Sequence, residues 1–169
     1  MDWSRRMNKR LAEIAREEAR KNYHGNTEAA IGNLQPLAEL FEADPSVTLE
    51  ILNEDWSGAF AFLCAELAGV GLPVRYPDPR VRASFASVGA WEDYARLPKI
   101  GLWHSFAELP EEGDLVIFEE REGRPPLMGI VLAVNDAMMD VAVGNYRNHS
   151  AVVERPLHEN LRGLIRFST

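Results

Sequence analysis

The apolar positions in the first part of the chain follow a helical spacing. Residues 4–21 carry apolar side chains at every third or fourth position, with Arg, Lys and Glu between them, and this pattern predicts an amphipathic helix. A second helical segment, interrupted near Gly32 and Pro36, is expected to run to about Ala43. The N-terminal part of the chain is therefore predicted to be helical.

The next segments differ in how clearly their patterns can be interpreted. Residues 44–53 fit a short helix or a strand equally well. Residues 57–68 are apolar around most of the helical circumference, which predicts a helix that is buried on most sides. Asn53 or Asp55 is available as its N-cap, and Gly69 is expected to end it. A short helix is also predicted near residues 90–96.

The last third of the chain changes to short segments rich in Val, Ile and Phe, separated by turn-forming residues. Such segments predict an antiparallel meander or a small barrel. Helices followed by strands indicate an α+β fold, with an N-terminal helical extension (1–45) and a core (46–169) that together form one compact domain. The predicted strands are 114–118, 129–134, 139–144, 150–154 and 163–167.

Composition narrows the possible partners. The chain has 169 residues and a net charge of -8, which argues against non-specific binding to nucleic acid. No apolar run approaches the roughly 20 residues of a membrane span, so no membrane partner is expected. The N-terminus lacks the apolar core of a secretory signal, so the expected location is the cytoplasm. No recognisable metal-ligand spacing is present, and neither a metal nor a cofactor is expected.

Three pieces of the sequence carry a resemblance to a known group of enzymes. They are DWSGAFAFLCAELAGVGLP, then PEEGDLVIF, then LMGIVLAV followed by VGN and a closing strand. In order and spacing they resemble the CHAP and NlpC/P60 families of papain-like cysteine amidases and endopeptidases, over roughly residues 50–167. The resemblance implies a papain-like NlpC/P60-type fold, with helices packed on a small antiparallel β-sheet or half-barrel.

The resemblance also implies where a catalytic centre would lie. In these families a thiol at a helix N-terminus is activated by the helix dipole. A histidine on a facing strand transfers the proton, and a third polar group orients the imidazole. The matching positions here are Ser57, Met128 and Val143, and only Asn145 remains polar as the pattern expects. No catalytic residue is therefore intact, and the chain has the pattern of a pseudoenzyme.

A serine nucleophile would require a nearby base. Among the four histidines, His104 in GLWHSF is the best candidate, whereas His24 is expected in a turn and His149 and His158 in loops. Cys64 lies two helical turns after Ser57 and is expected to be a buried, unreactive thiol.

Four aromatic side chains have two possible roles, core packing or the lining of a groove at the old catalytic face. They are Trp56, Trp91, Tyr94 and Trp103. The residues predicted to bind a ligand in this vestigial cleft are Trp56, Ser57, Met128 and Asn145.

Three functions follow. The favoured one is a non-catalytic domain that binds a peptide-like or glycan-like group, or scaffolds, through the vestigial cleft. The alternative is a divergent amide hydrolase that uses Ser57 with a relocated base. A third is assembly, in which the N-terminal helices mediate a homo-oligomer. A fold alone does not decide among these functions.

Overall fold

The computed structural model describes residues 3–167, which form an α+β fold, as the sequence predicts. The helices come first along the chain and the strands follow. The helices are α1 (Trp3–Ala19), α2 (Gln35–Leu40), α3 (Leu49–Glu54), α4 (Ser57–Ala68) and α5 (Val88–Arg96). The strands are β1 (Trp103–Ser105), β2 (Leu115–Phe118), β3 (Leu127–Val134), β4 (Met138–Tyr146), β5 (His149–Pro156) and β6 (Leu161–Ile165).

The strands form one antiparallel sheet in the order β1-β6-β2-β3-β4-β5. Strands β2 to β5 are the predicted meander, and β6 returns to pair with β2 on its far side. The sheet is open, since β1 and β5 are its two edges. A closed small barrel, one of the two expectations, is therefore not formed.

Strand β3 has buried residues on both of its faces. Met128 and Ile130 pack in the main core between the helices and the sheet. Leu127 and Val131 pack in a second cluster on the opposite face, as the alternation of side chains along a strand requires. The face of β3 on which a residue lies thus decides whether it meets α4.

Helix α1 buries its apolar stripe within the chain. Leu11, Ala12 and Ala15 have no exposed surface and belong to the main core, and α1 contacts α4, β3, β4 and β5. The face that the sequence offered for oligomerisation is therefore occupied by the protein's own core.

Two local structures differ from the expected pattern. Helix α2 is limited to Gln35–Leu40, and Pro36 lies in its first turn, where the missing N–H is not needed, so this proline starts the helix rather than interrupting it. The undecided segment contains the helix α3, capped by Thr48, whose hydroxyl accepts the Ile51 N–H at 3.3 Å.

Two glycines let the N-terminal half of α4 approach its neighbours closely. A Cβ on Gly58 would lie 2.7 Å from the carbonyl oxygen of Ala86, and a Cβ on Gly144 in β4 would lie 2.5 Å from Phe60. Helix α4 is thus pressed between the segment before α5 and the sheet, and Ser57, its first residue, faces β3.

Candidate functional site

Ser57 and Met128, the predicted nucleophile and base positions, meet in the structure. The Ser57 Oγ accepts a hydrogen bond from the backbone N–H of Met128 at 3.2 Å. Ser57 is 1% exposed and Met128 is fully buried. Because the Ser57 Oγ is the acceptor in this bond, its O–H group can still donate a hydrogen bond to another partner.

Ser57 borders a cavity of about 920 Å³, a size within the usual range of ligand sites. The junction of α3 and α4 supplies Glu54, Asp55 and Ser57 to its wall. The loop between β2 and β3, with the first residue of β3, supplies Glu120, Arg121 and residues 124–127. The hairpin between β4 and β5 supplies residues 145–148, and β5 and the turn after it supply residues 153–155 and Glu159.

Asp55 is the carboxylate next to Ser57. Burial raises its pKa from 3.8 to about 6, while a hydrogen bond from the Ser57 backbone N–H partly opposes the shift. This bond also caps α4, since Trp56 makes no side-chain cap. No cation within residues 3–167 is among the groups that shift the pKa of Asp55. A half-buried carboxylate with a perturbed pKa in a cavity is a functional-site candidate.

The β4–β5 hairpin is tied both to the α3–α4 junction and to the segment between α1 and α2. Its two central residues, Arg147 and Asn148, have φ values of 51° and 67°, as a two-residue type I′ turn requires. The Asn145 side chain donates to the carbonyl oxygen of Glu54 at 3.1 Å, which holds the hairpin against the α3–α4 junction. The Asn148 Oδ1 accepts the Gly25 N–H at 3.1 Å, which holds the tip of the hairpin against the segment after α1.

The predicted ligand-binding residues divide into two groups. Ser57 and Asn145 line the cavity. Trp56 and Met128 are fully buried below it, and within the described chain the Trp56 Nε1 has no hydrogen-bond partner. Val143, the predicted third position, packs in the cluster on the other face of the sheet from Met128, so the structure does not bring it to Ser57.

The histidines lie away from the cavity. His104 is on β1, where its Nδ1 lies 2.8 Å from the Glu108 carboxylate. Because β1 is three strands from β3, and neighbouring strands are about 4.8 Å apart, the strand of His104 lies about 14 Å across the sheet from the strand that bonds Ser57. None of the four imidazoles, all within residues 3–167, lines the cavity. His149, expected in a loop, begins β5 instead.

The remaining candidates have structural roles. Burial raises the pKa of the Cys64 thiol well above its usual value, which disfavours the reactive thiolate. The Trp91 Nε1 donates to the carbonyl oxygens of Phe85 and Gly58, at 2.9 and 3.2 Å. Trp103 packs over Gly163 of β6. Core packing, rather than the lining of this cavity, is what Trp91 and Trp103 do.

Several residues of the cavity wall carry no role in the sequence interpretation. For Asp55 the sequence indicates only a helix cap. For the residues between β2 and β3, which include Arg121 and Arg124, it indicates only a turn. One signal was present in the sequence: two arginines and two prolines directly precede the strand that carries Met128. Arg147 gave no such signal, because its place beside the cavity depends on how the hairpin docks.

Within residues 3–167, no group of three or more His, Cys, Asp or Glu side chains is arranged to hold a metal ion. The same range contains no helix with the length and apolar character needed to cross a membrane. Comparison of the chain with protein-family models, with curated proteins and with solved structures gives no match.

Proposed function

We propose that this protein is a non-catalytic binding domain, related to the papain-like CHAP and NlpC/P60 amidases, that holds a peptide-like group in the cavity beside Ser57. Two observations support the proposal. The sequence resembles these enzymes, and beside the cavity Ser57 and Met128 stand where the thiol and the imidazole would be expected. Binding without turnover is the expected behaviour of such a site.

The observation that carries the proposal is the contact between Ser57 and Met128. These positions would hold the thiol and the imidazole in the related enzymes, and the 3.2 Å bond between the Ser57 Oγ and the Met128 N–H supports their pairing across the helix and the strand. Since a thioether takes up no proton at ordinary pH, Met128 cannot act as the base of a catalytic dyad with Ser57.

The cavity keeps groups that suit an amide-containing ligand. The Ser57 hydroxyl can donate, and the Asn145 side-chain oxygen can accept, because only the Nδ2 of Asn145 bonds to Glu54. Donors and acceptors that are fixed by the scaffold orient a ligand at a small entropic cost.

One observation favours a second candidate, a divergent amide hydrolase. Asp55 shares the cavity with Ser57 and has a pKa of about 6, which is near the value that suits a general base at neutral pH. In this alternative Asp55, rather than the distant His104, would take the Ser57 proton.

Trialanine and N-acetyl-trialanine distinguish the two candidates. We expect chemical-shift changes in the amides of Ser57 and Asn145 on titration with trialanine, and no cleavage of either peptide by mass spectrometry after prolonged incubation. Cleavage that Ser57→Ala abolishes, and that Ser105→Ala on the surface leaves unchanged, would replace binding by hydrolysis as the function.

A further inference from the structure

Charged residues on two sides of the cavity have no ion-pair partner within residues 3–167, although Glu120 and Arg155, which also line it, pair with each other at 3.2 Å. Asp55 and Glu54, at the α3–α4 junction, form no ion pair with any residue in 3–167. The same holds for Arg121 and Arg124 in the β2–β3 loop, although both line the cavity that Asp55 lines. Six other arginines of the protein do form ion pairs: Arg75, Arg80, Arg96, Arg155, Arg162 and Arg166.

On the acidic side, Asp55 lacks the partner that its burial demands. Removing a carboxylate from water without a counter-charge is unfavourable. Among residues 3–167, the one contact that favours its ionisation is the backbone N–H of Ser57. A ligand ammonium at this position would provide the missing cation and form charge-assisted hydrogen bonds.

On the basic side, Arg121 and Arg124 present two guanidinium groups from one short loop. Both are exposed, so each alone is an ordinary solvated charge. A carboxylate ligand fits them because a guanidinium donates two parallel N–H bonds to a carboxylate. Between the two charged sides, the Ser57 hydroxyl and Asn145 offer a donor and an acceptor to an amide.

We infer that the cavity takes a zwitterionic ligand, a short peptide with a free ammonium group held by Asp55 and a free carboxylate held by Arg121 and Arg124. This inference rests on the proposed function and specifies which peptides the site selects. A peptide whose ammonium or carboxylate is blocked would lose one of the two ionic contacts. A peptide blocked at both ends would keep only the hydrogen bonds between its amide groups and the cavity.

The test is a calorimetric titration of the 169-residue protein at pH 7 with trialanine, N-acetyl-trialanine and trialanine amide. We expect acetylation and amidation each to weaken binding by about tenfold or more, the size expected for one charge-assisted hydrogen bond. In Asp55→Asn the loss on acetylation disappears, and in Arg121→Gln/Arg124→Gln the loss on amidation disappears. Arg20→Gln, a change of an exposed arginine outside the cavity, keeps both preferences.

The outcomes separate this inference from the proposed function. If the three peptides bind equally well, or if the preferences persist in the variants, the assignment of the two charged ends is wrong while peptide binding stands. If none of the three peptides binds, the inference and the proposed function are both contradicted. Thermal unfolding of each variant verifies that lost binding does not reflect lost folding.

Discussion

Two aspartates of this protein, the half-buried Asp55 and the fully buried Asp114, have opposite surroundings. Asp114 precedes β2, has no exposed surface, and receives two hydrogen bonds from the Arg166 guanidinium, at 2.9 and 2.7 Å. Its carboxylate also accepts the Glu111 N–H at 2.8 Å. Asp55 receives a backbone N–H and faces a cavity.

Burial raises the pKa of both carboxyl groups, but for Asp114 the bonds from Arg166 and Glu111 oppose the shift. A buried charge with all of its partners inside the protein holds elements together; here it fixes the start of β2 to the residue after β6. A half-buried charge without a cationic partner, beside a cavity, is instead available to a ligand. This difference in partners distinguishes Asp114, which has a structural role, from Asp55, which we propose binds a ligand.

The largest expected effect is on the structural side. Asp114→Asn removes the negative charge beside Arg166, whose side chain is 14% exposed. Both oxygens of Asp114 accept bonds from Arg166, so an Asn amide nitrogen would face an N–H donor and leave the guanidinium without its counter-charge. Although burial raises the pKa of Asp114, breaking such a pair from one side costs about 3 kcal/mol and outweighs the relief of burying one charge fewer. Urea unfolding should show this loss in the free energy of unfolding, and a change below about 0.5 kcal/mol, the size typical of surface substitutions, would refute the structural role.

A smaller loss is expected for Ser57→Ala. This change leaves the buried Met128 N–H without its acceptor, and an unsatisfied buried donor costs about 1–3 kcal/mol. The same unfolding assay checks it, with Ser105→Ala as the exposed control. Unchanged stability in Ser57→Ala would mean that water replaces the hydroxyl and that the site is more open than its burial indicates.

Asp55→Asn should act in the opposite direction and stabilise the protein at neutral pH. The pKa of Asp55 is about 6 in the folded protein, against 3.8 as its ordinary value. The folded state therefore binds the proton more tightly, and the wild-type protein loses stability as the pH rises from about 4 to 6. The gain expected for Asp55→Asn above pH 6 is about 1 kcal/mol, reduced by the partial exposure of the carboxyl group.

The pH profile provides the control for this prediction. Well below the ordinary pKa of 3.8 the carboxyl is protonated in both states, so Asp55→Asn and the wild type should be equally stable there. Asp140→Asn, a change of an exposed aspartate on β4, should show no such difference at any pH. A gain in Asp55→Asn that does not depend on pH would show that ionisation of Asp55 is not its cause.

The smallest effect is expected for His104→Ala. His104 lies on the edge strand β1 and its ring contacts Glu108 near the surface. Its removal should change the free energy of unfolding by less than about 1 kcal/mol, as for an exposed ion pair, and should leave trialanine binding unchanged. A loss of trialanine binding in this variant would show that His104 affects the cavity, and His104 would again be a candidate base for Ser57.

The sequence predicts the helices and strands well where one spacing of apolar residues continues through a whole segment. The spacing of apolar residues predicted α1 and α4, and the clusters of Val and Ile predicted β2 to β6, within a few residues. Strand β1 was missed because three residues carry too little pattern. The short helix α3 was undecided, since its start depends on the single cap at Thr48.

The candidate site was predictable only in part. The positions of Ser57 and Met128 followed from a linear resemblance, and the structure brings them together. The cavity walls did not follow, because they combine a helix junction, a loop and a hairpin whose docking depends on long-range bonds such as that from Asn145 to Glu54. Val143, the expected third position of the catalytic centre, does not meet Ser57. It lies on the opposite face of the sheet from Met128, and the side chain of a strand residue reaches only one face.

The most direct test of a cationic ligand group at Asp55 is the pKa of its carboxyl group, measured by carbon-detected NMR in the free protein and in the protein saturated with trialanine. We predict a value near 6 without peptide and a lower value with it, because a bound ammonium stabilises the carboxylate. A value that stays near 6 when the peptide is bound would contradict this assignment, since the ligand would then not place its cation at Asp55.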